Sequence, residues 1–401
     1  MADLVALPAI VAAAGRLATV ARRTPVERSQ AISDLAGVPT LLKWEHLQRT
    51  GSFKIRGAYN RVCLLSDVER ARGVVCASAG NHAQGVALSA RLLGVRATVF
   101  MPAAAAHPKV EATRRYGASV RLAGETFDDA YAACKEWAAE HGSVEIHPFD
   151  HPDVIAGQGT LGLELLDQAP ELRTVVVPVG GGGLVSGIAA AVKARRPDVR
   201  VVGVEAAGAA CVTGALAAGS IITLDRLSTF ADGIAVKTAG TLTLAHIDAL
   251  VDEVVTVSDE AIARAVLLLA ERTKQIVEPA GAASLAAVLE HGSRWPAPVA
   301  AVLAGGNVDP LLLVRIIQSG MYEEGRYLAI RTTLRDQPGA LSRLLARLAD
   351  QGANIIAIDH HRLGTRLGVL DVEVHLEIET RGTTHIARVV SALRAHGYPI
   401  L

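Results

Sequence analysis

Residues 174–205 read TVVVPVGGGGLVSGIAAAVKARRPDVRVVGVE. Thr174 to Val179 is an almost unbroken β-branched run without polar alternation, the mark of a strand covered on both faces. Leu184 to Arg195 follows as a helix, and Val199 to Glu205 as a second buried strand. A strand, a tight turn, a helix and another buried strand make a βαβ unit, and such units build parallel sheets. One glycine would suffice for the turn, yet Gly180, Gly181, Gly182 and Gly183 are all present. Four glycines expose several backbone N–H groups and aim a helix N-terminus at one point, an arrangement suited to a phosphate. A dinucleotide fingerprint, with Glu205 as the ribose acceptor, is the main rival. Its G-x-G-x-x-G spacing fails in both registers, because Val185 or Ser186 occupies the last position. No G-x-x-x-x-G-K-[ST] run occurs here either, which argues against a nucleoside triphosphate.

The same alternation runs outward from about residue 72 to 325. Val74–Cys76 reads as a strand, His82–Leu93 as a helix, Ala97–Phe100 and Val299–Leu303 as further strands, and a helix starts near Pro310. Ser258, followed by Asp259 and Glu260, reads as an N-cap with acids in the first turn. The fold class is α/β, with one or two parallel, doubly wound sheets. After Tyr322 the pattern changes, and Glu323-Glu324-Gly325 is a plausible hinge. A strand over Tyr327–Thr333, a Pro338-Gly339 turn and a helix over Ala340–Gln351 come next. Val369–Ile378 alternates at period two, a half-buried strand able to support side-by-side pairing of two copies. A helix through Ile386, Val389, Val390 and Leu393, then a short final strand at Tyr398–Ile400, complete a ferredoxin-like βαββαβ order.

Composition narrows the function classes. Of 401 residues, 50% are hydrophobic and 20% charged, a globular balance, and 40 basic side chains cancel 40 acidic ones. No basic patch with interleaved aromatics marks a nucleic-acid binder. Cys63, Cys76, Cys134 and Cys211 are scattered, without metal-ligand or disulfide spacing, which suits a reducing cytoplasm. The start, MADLVALPAIVAAAGRLATVARR, reads as an amphipathic helix rather than a signal peptide, since Asp3 stands where a basic segment would be. No uncharged apolar run reaches membrane-spanning length, so a soluble cytoplasmic protein is expected.

Among 7 lysines, against 33 arginines, Lys54 stands in the small-residue stretch TGSFKIRGA at 50–58. A solvated surface charge is the plain reading. A nucleophilic amine is the sharper one, since guanidinium forms no Schiff base at neutral pH. Two more strand ends carry small polar loops: Ser78-Ala79-Gly80-Asn81-His82-Ala83-Gln84-Gly85, which opens a helix and could hold a carboxylate, and Ala304-Gly305-Gly306-Asn307. In open α/β sheets ligands collect at the carboxyl ends of strands. A phosphate cradle and a Schiff-base lysine at one site point to pyridoxal 5′-phosphate (PLP).

GSFKIRGA, SAGNHAQG, PVGGGGL and AGGN, in this order, resemble the fold-type II PLP enzymes, and within them the threonine dehydratases, from about Thr24-Pro25 to Met321. Asp336-Gln337-Pro338-Gly339-Ala340-Leu341 and Gly352-Ala353-Asn354-Ile355 resemble an ACT domain, a small-molecule sensor. The resemblance implies a two-lobed, tryptophan synthase β-like catalytic domain over 1–322, its smaller lobe at about 46–148, and an ACT domain over 326–401. It implies that Lys54 holds PLP as a Schiff base, Phe53 packs beside the ring and Asn81 bonds its 3′-oxygen. Gly180, Gly181, Gly182 and Gly183, with the Leu184 amide, would cradle the phosphate. Ser78, Ala79, Gly80 and His82 would receive the substrate carboxylate. The reaction implied is β-elimination, with the Lys54 amine removing the Cα proton. L-Threonine would give 2-oxobutanoate and ammonia, and L-serine pyruvate. Isoleucine, or secondly valine, would act at the Asp336–Gly339 turn of a homodimer or homotetramer, as feedback on isoleucine biosynthesis.

Two departures from the family stand out. A serine usually occupies position 304, bonded to the pyridine nitrogen, and Ala304 cannot take that role. Related serine racemases bind a divalent metal around the position of Glu205, but Ala206–Ala210 supplies no second carboxylate, so no dedicated metal site is expected. Serine racemase or hydroxyaspartate dehydratase of the same fold, and a catalytically impaired sensor, are the alternatives.

Overall fold

In the computed structural model, which describes residues 3–362 and 368–400, ten strands of the unit Met1–Pro310 form two sheets. In chain order they are β1 (Val26–Arg28), β2 (Thr40–Lys43), β3 (Val74–Ala77), β4 (Ala97–Met101) and β5 (Ser119–Leu122). There follow β6 (Val144–Glu145), β7 (Thr174–Pro178), β8 (Arg200–Ala206), β9 (Glu253–Val257) and β10 (Val299–Val302). The larger sheet has the order β1-β2-β10-β7-β8-β9 and the smaller β5-β4-β3-β6. Every neighbour pair is parallel except β1 on β2. The βαβ unit read from residues 174–205 lies at the heart of the larger sheet. Val175, Val177 and Val201 pack there against Leu184, Val185, Ile188 and Val192 of the Gly183–Arg195 helix. Each apolar side chain buried in this way contributes roughly 1.5–3 kcal/mol.

A buried polar network ties the two halves of this unit together. Arg56, fully buried, donates to Glu45 at 2.6 Å and to Glu164 at 2.7 Å. Lys43, also fully buried, donates to Glu164, Gln168 and the Thr24 carbonyl at 2.8–2.9 Å. Two cations face two carboxylates, so removing any one of them leaves an uncompensated buried charge, a loss of about 3–5 kcal/mol. Arg56 thereby clamps the helix Lys54–Cys63.

The unit Leu311–Leu401 contains β11 (Tyr327–Arg335), β12 (Asn354–His361) and β13 (Asp371–Glu379) in the order β11-β13-β12, all antiparallel. Leu328, Ile330, Leu334, Val372, Val374, Leu376 and Ile378 meet Leu344 and Leu348 of the Ala340–Asp350 helix and Val389 and Leu393 of Thr383–Ala395. Three details differ from the sequence reading. β13 begins at Asp371, because Val369 and Leu370 belong to a turn and are exposed. β13 is central and bonded on both sides, so it offers no edge to another copy; β11 and β12 are the edges. Tyr398–Ile400 forms no strand. There the chain caps a helix instead: the Tyr398 amide bonds Leu393, Gly397 takes φ +81°, and Pro399 has no N–H to give a ladder. Among the described residues no helix is long and apolar enough to cross a membrane.

Candidate active site

A cavity of about 970 Å³ opens where loops from both sheets of the first unit converge. Phe53, Lys54, Ser78, Ala79, Gly80, Asn81, His82, Gly180, Gly181, Gly182, Gly183, Leu184 and Ala304 all line it, so the structure brings the residues expected to meet cofactor and substrate to one cleft.

Lys54 is the first residue of its helix, and its Nζ donates to the Pro148 carbonyl at 2.9 Å, 5.2 Å from the centre of the Phe53 ring. Burial pushes this amine down to about 8, against the opposing pull of Glu278. The helix N-terminus adds to the disfavour of a cation there. An amine with that pKa exists in appreciable part as the neutral nucleophile near neutrality. The lysine stretch is laced to the loop after β10. Phe53 N bonds Ala304 O at 3.1 Å, Gly306 N bonds Gly51 O at 2.9 Å, and Asn307 Nδ2 bonds Thr50 O at 2.6 Å. Thr50 is held at φ +63°, a left-handed backbone uncommon for a non-glycine residue and costing of order 1–3 kcal/mol.

The glycine loop caps the Gly183–Arg195 helix, with Gly182 at φ +92°. The first N–H groups of a helix lack intrahelical acceptors and face outward, here toward the cavity. Its crowding explains the glycines. A Cβ on Gly181 would stand 2.3 Å from the Phe149 ring, and one on Gly183 2.8 Å from Phe149 Cβ.

Asn81 opens the helix Asn81–Leu92, but Gly80 is its N-cap, so the Asn81 side chain is not spent on capping. Its Nδ2 donates to Glu278 at 2.6 Å and its Oδ1 accepts from Asn307 Nδ2 at 2.7 Å. The second amide hydrogen stays available to the cavity. His82 turns inward: its ring pairs with the Ile146 carbonyl at 2.7 Å, and burial, with Lys54 nearby, pushes it down to about 3. Of His82, then, it is the backbone in the first helical turn that can meet a carboxylate. Ser78 Oγ accepts from Gly80 N at 3.2 Å, which fixes that loop. Ala304 places only a methyl group on the wall.

Sequence reasoning passed over Glu278 and the turn His147–Asp150 and gave Asn307 only as the end of its loop, without a role; all of them line the cavity. Glu278 is buried and its carboxyl is raised to about 7 by burial and by Asp232. The turn carried a readable signal: in HPFDHPD, 147–153, two His-Pro pairs each precede an aspartate. Glu205 lies elsewhere, accepting from Val212 N, Thr213 N and Thr213 Oγ1 at 2.6–2.8 Å. Among the described residues no group of three or more His, Cys, Asp or Glu is arranged to hold a metal ion.

These residues fit PLP: a buried, partly neutral amine, a glycine-lined helix N-terminus and an amide held with one hydrogen toward the cleft share one cavity. The family model of pyridoxal-phosphate dependent enzymes matches residues 17–305, and that of the ACT domain residues 329–398. The chain belongs to the pyridoxal-phosphate dependent enzymes and carries a C-terminal ACT domain. It is 47% identical to the L-threonine ammonia-lyase of Geobacter sulfurreducens over 384 residues, 96% of each chain. It is 44% identical to that of Thermotoga maritima over 397 residues, 99% of each. The structure of maize serine racemase superposes with a TM-score of 0.75 at 38% identity, covering 80% of this chain and 98% of that one.

Proposed function

We propose that the chain deaminates L-threonine to 2-oxobutanoate and ammonia, and L-serine to pyruvate as a lesser reaction. The observation that carries this is the placement of the buried Lys54 amine in the same cavity as the four-glycine helix N-terminus. Near full-length similarity to L-threonine ammonia-lyases supports the choice of substrate. Bound PLP supplies an electron-withdrawing ring that acidifies the Cα–H of an attached amino acid. Lys54, its pKa near the working range, is both the residue that holds the cofactor and the base that accepts the Cα proton. The amides of Gly180, Gly181, Gly182, Gly183 and Leu184 hold the phosphate. Asn81, fixed by Glu278 and Asn307, would bond the ring's 3′-oxygen, and Phe53 would pack beside the ring. The loop Ser78-Ala79-Gly80 and the first turn at His82 receive the substrate carboxylate.

Ala79 favours elimination over racemisation. It lines the cavity with a methyl group, where the racemases carry a serine that donates a proton from the opposite face. We assign the ACT domain a regulatory role, with isoleucine the first candidate effector and valine the second. That would suit the first step of isoleucine biosynthesis in a cytoplasmic homodimer or homotetramer. The test is steady-state formation of 2-oxo acid from threonine and from serine, with chiral analysis of residual serine. Threonine turnover exceeding serine turnover is expected. D-Serine formed faster than pyruvate, or no 2-oxo acid from either substrate, would overturn the reading.

A further inference from the structure

The turn His147-Pro148-Phe149-Asp150 touches three parts of the site at once. Pro148 O accepts from Lys54 Nζ at 2.9 Å. The Phe149 ring lies against Gly181, and the Phe149 Cβ and backbone against Gly183, so closely that a Cβ on either glycine would force something to shift. Asp150 accepts from the backbone N–H groups of Thr241, Leu242 and Thr243 at 2.9–3.1 Å, capping the helix Thr241–Leu250. That helix in turn sends Thr243 Oγ1 to Gly181 O at 2.6 Å. What shapes the turn is His147. Its Nδ1 accepts from Asp150 N at 2.8 Å and from Phe149 N at 3.3 Å, and its ring meets the Phe149 ring edge-on at 4.7 Å.

We propose that His147 is a positioning residue whose unprotonated Nδ1 folds this turn and so sets the Lys54 amine, the glycine loop and the Thr241–Leu250 helix in one register. Both N–H groups point at Nδ1, so the imidazole must be the neutral Nε2–H tautomer. Burial pushes the imidazole down to about 4, with Asp150 opposing and Lys54 assisting, in keeping with that demand. The proposal rests on reading Lys54 and the glycines as the holders of the cofactor.

The experiment compares His147→Asn, His147→Leu and His147→Gln with the unsubstituted protein. Asparagine places an oxygen where Nδ1 stood, leucine places a methyl group there, and glutamine moves its amide one carbon further out. Each full-length protein is stripped of PLP and titrated with PLP and with pyridoxal, which lacks the phosphate, followed by cofactor absorbance. Borohydride reduction then locates the modified peptide. Asparagine should bind PLP within about threefold of the unsubstituted protein, and leucine at least about tenfold more weakly. Leucine should also blunt the preference for PLP over pyridoxal, because the glycine loop loses its support. Should the leucine variant not fold, glutamine serves in the same comparison and should be as weak. Leucine or glutamine binding like the unsubstituted protein, or asparagine as weak as either, would overturn the role of His147. The underlying reading fails separately, if borohydride fixes no cofactor on Lys54 of the unsubstituted protein.

Discussion

Asn81 and Glu278, 197 residues apart in sequence, meet at 2.6 Å, and this bond joins the helix after β3 to the helix Pro279–His291. The carboxyl that anchors Asn81 is half-protonated near neutrality, being raised to about 7. Because the folded state binds that proton more tightly than the unfolded chain, its stabilising contribution is fully present below the ordinary carboxylate range. It is lost as pH rises through about 7. Between pH about 5 and about 7.5, the Tm of the cofactor-free protein should therefore fall relative to that of Glu278→Gln, which has no such proton. His82 and His147, depressed to about 3 and about 4, act in the opposite sense below their ordinary range, but equally in both proteins. Parallel Tm–pH curves would show that Glu278 titrates normally.

Lys54→Ala should keep the fold and the melting behaviour, while turnover falls by several orders of magnitude, since the covalent and base roles proposed for Lys54 would vanish together. Circular dichroism and a 2-oxo acid assay check the two halves. Near-normal activity would remove Lys54 from the mechanism.

Gly181→Ala puts a methyl carbon 2.3 Å from Phe149 Cε1. Overpacking of this kind costs roughly 1–3 kcal/mol, so PLP affinity should drop roughly 5- to 150-fold. A cofactor titration reads this directly, and unchanged affinity would mean that the phosphate lies elsewhere.

Ala304→Ser restores a hydroxyl to the cavity wall. A neutral hydrogen bond contributes roughly 0.5–1.5 kcal/mol, so PLP should bind up to about tenfold more tightly. No gain in affinity or turnover would mean that another group, or water, already satisfies the ring nitrogen.

The turn at Asp336–Gly339 places Gly339, in the left-handed conformation at φ +81°, at the head of the Ala340–Asp350 helix and so at a helix N-terminus. If it senses an amino acid, coupling of about 1–3 kcal/mol would alter apparent threonine affinity some 5- to 150-fold. The full chain should respond to isoleucine, and a chain ending at Gly325 should not. Equal responses, or none to any branched-chain amino acid, would leave the domain without a sensing role.

The elements that could be read from the sequence were those whose side chains repeat a pattern. Val175, Val176 and Val177 announce a strand buried on both faces, and the glycines after them serve no ordinary turn. β2 escaped notice because Lys43 and the adjoining Glu45 look like surface charges, whereas in the fold they neutralise Glu164 and Arg56. Glu278 was missed for the same reason, since no local signal separates a buried carboxyl from a solvated one. Around His147 the only local signal is the repeated His-Pro pairs, since β6 before it spans Val144–Glu145, too short to show a period. Tertiary partners, not local preference, define all of these positions.

In the larger sheet β2, at Thr40–Lys43, has β10, at Val299–Val302, as its parallel neighbour. The strands of the smaller sheet, from Val74 to Glu145, come from one uninterrupted segment between them. During synthesis the smaller sheet can therefore close as soon as its own segment emerges from the ribosome. The β1–β2 pair must wait with an open edge until almost the whole unit has been made. Contacts of such long sequence separation form slowly, and an unpaired strand edge invites pairing with other chains. The nascent chain is thus most exposed to aggregation between translation of Lys43 and translation of Val302, and the early β1–β2 ribbon is the segment a chaperone would have most reason to shield.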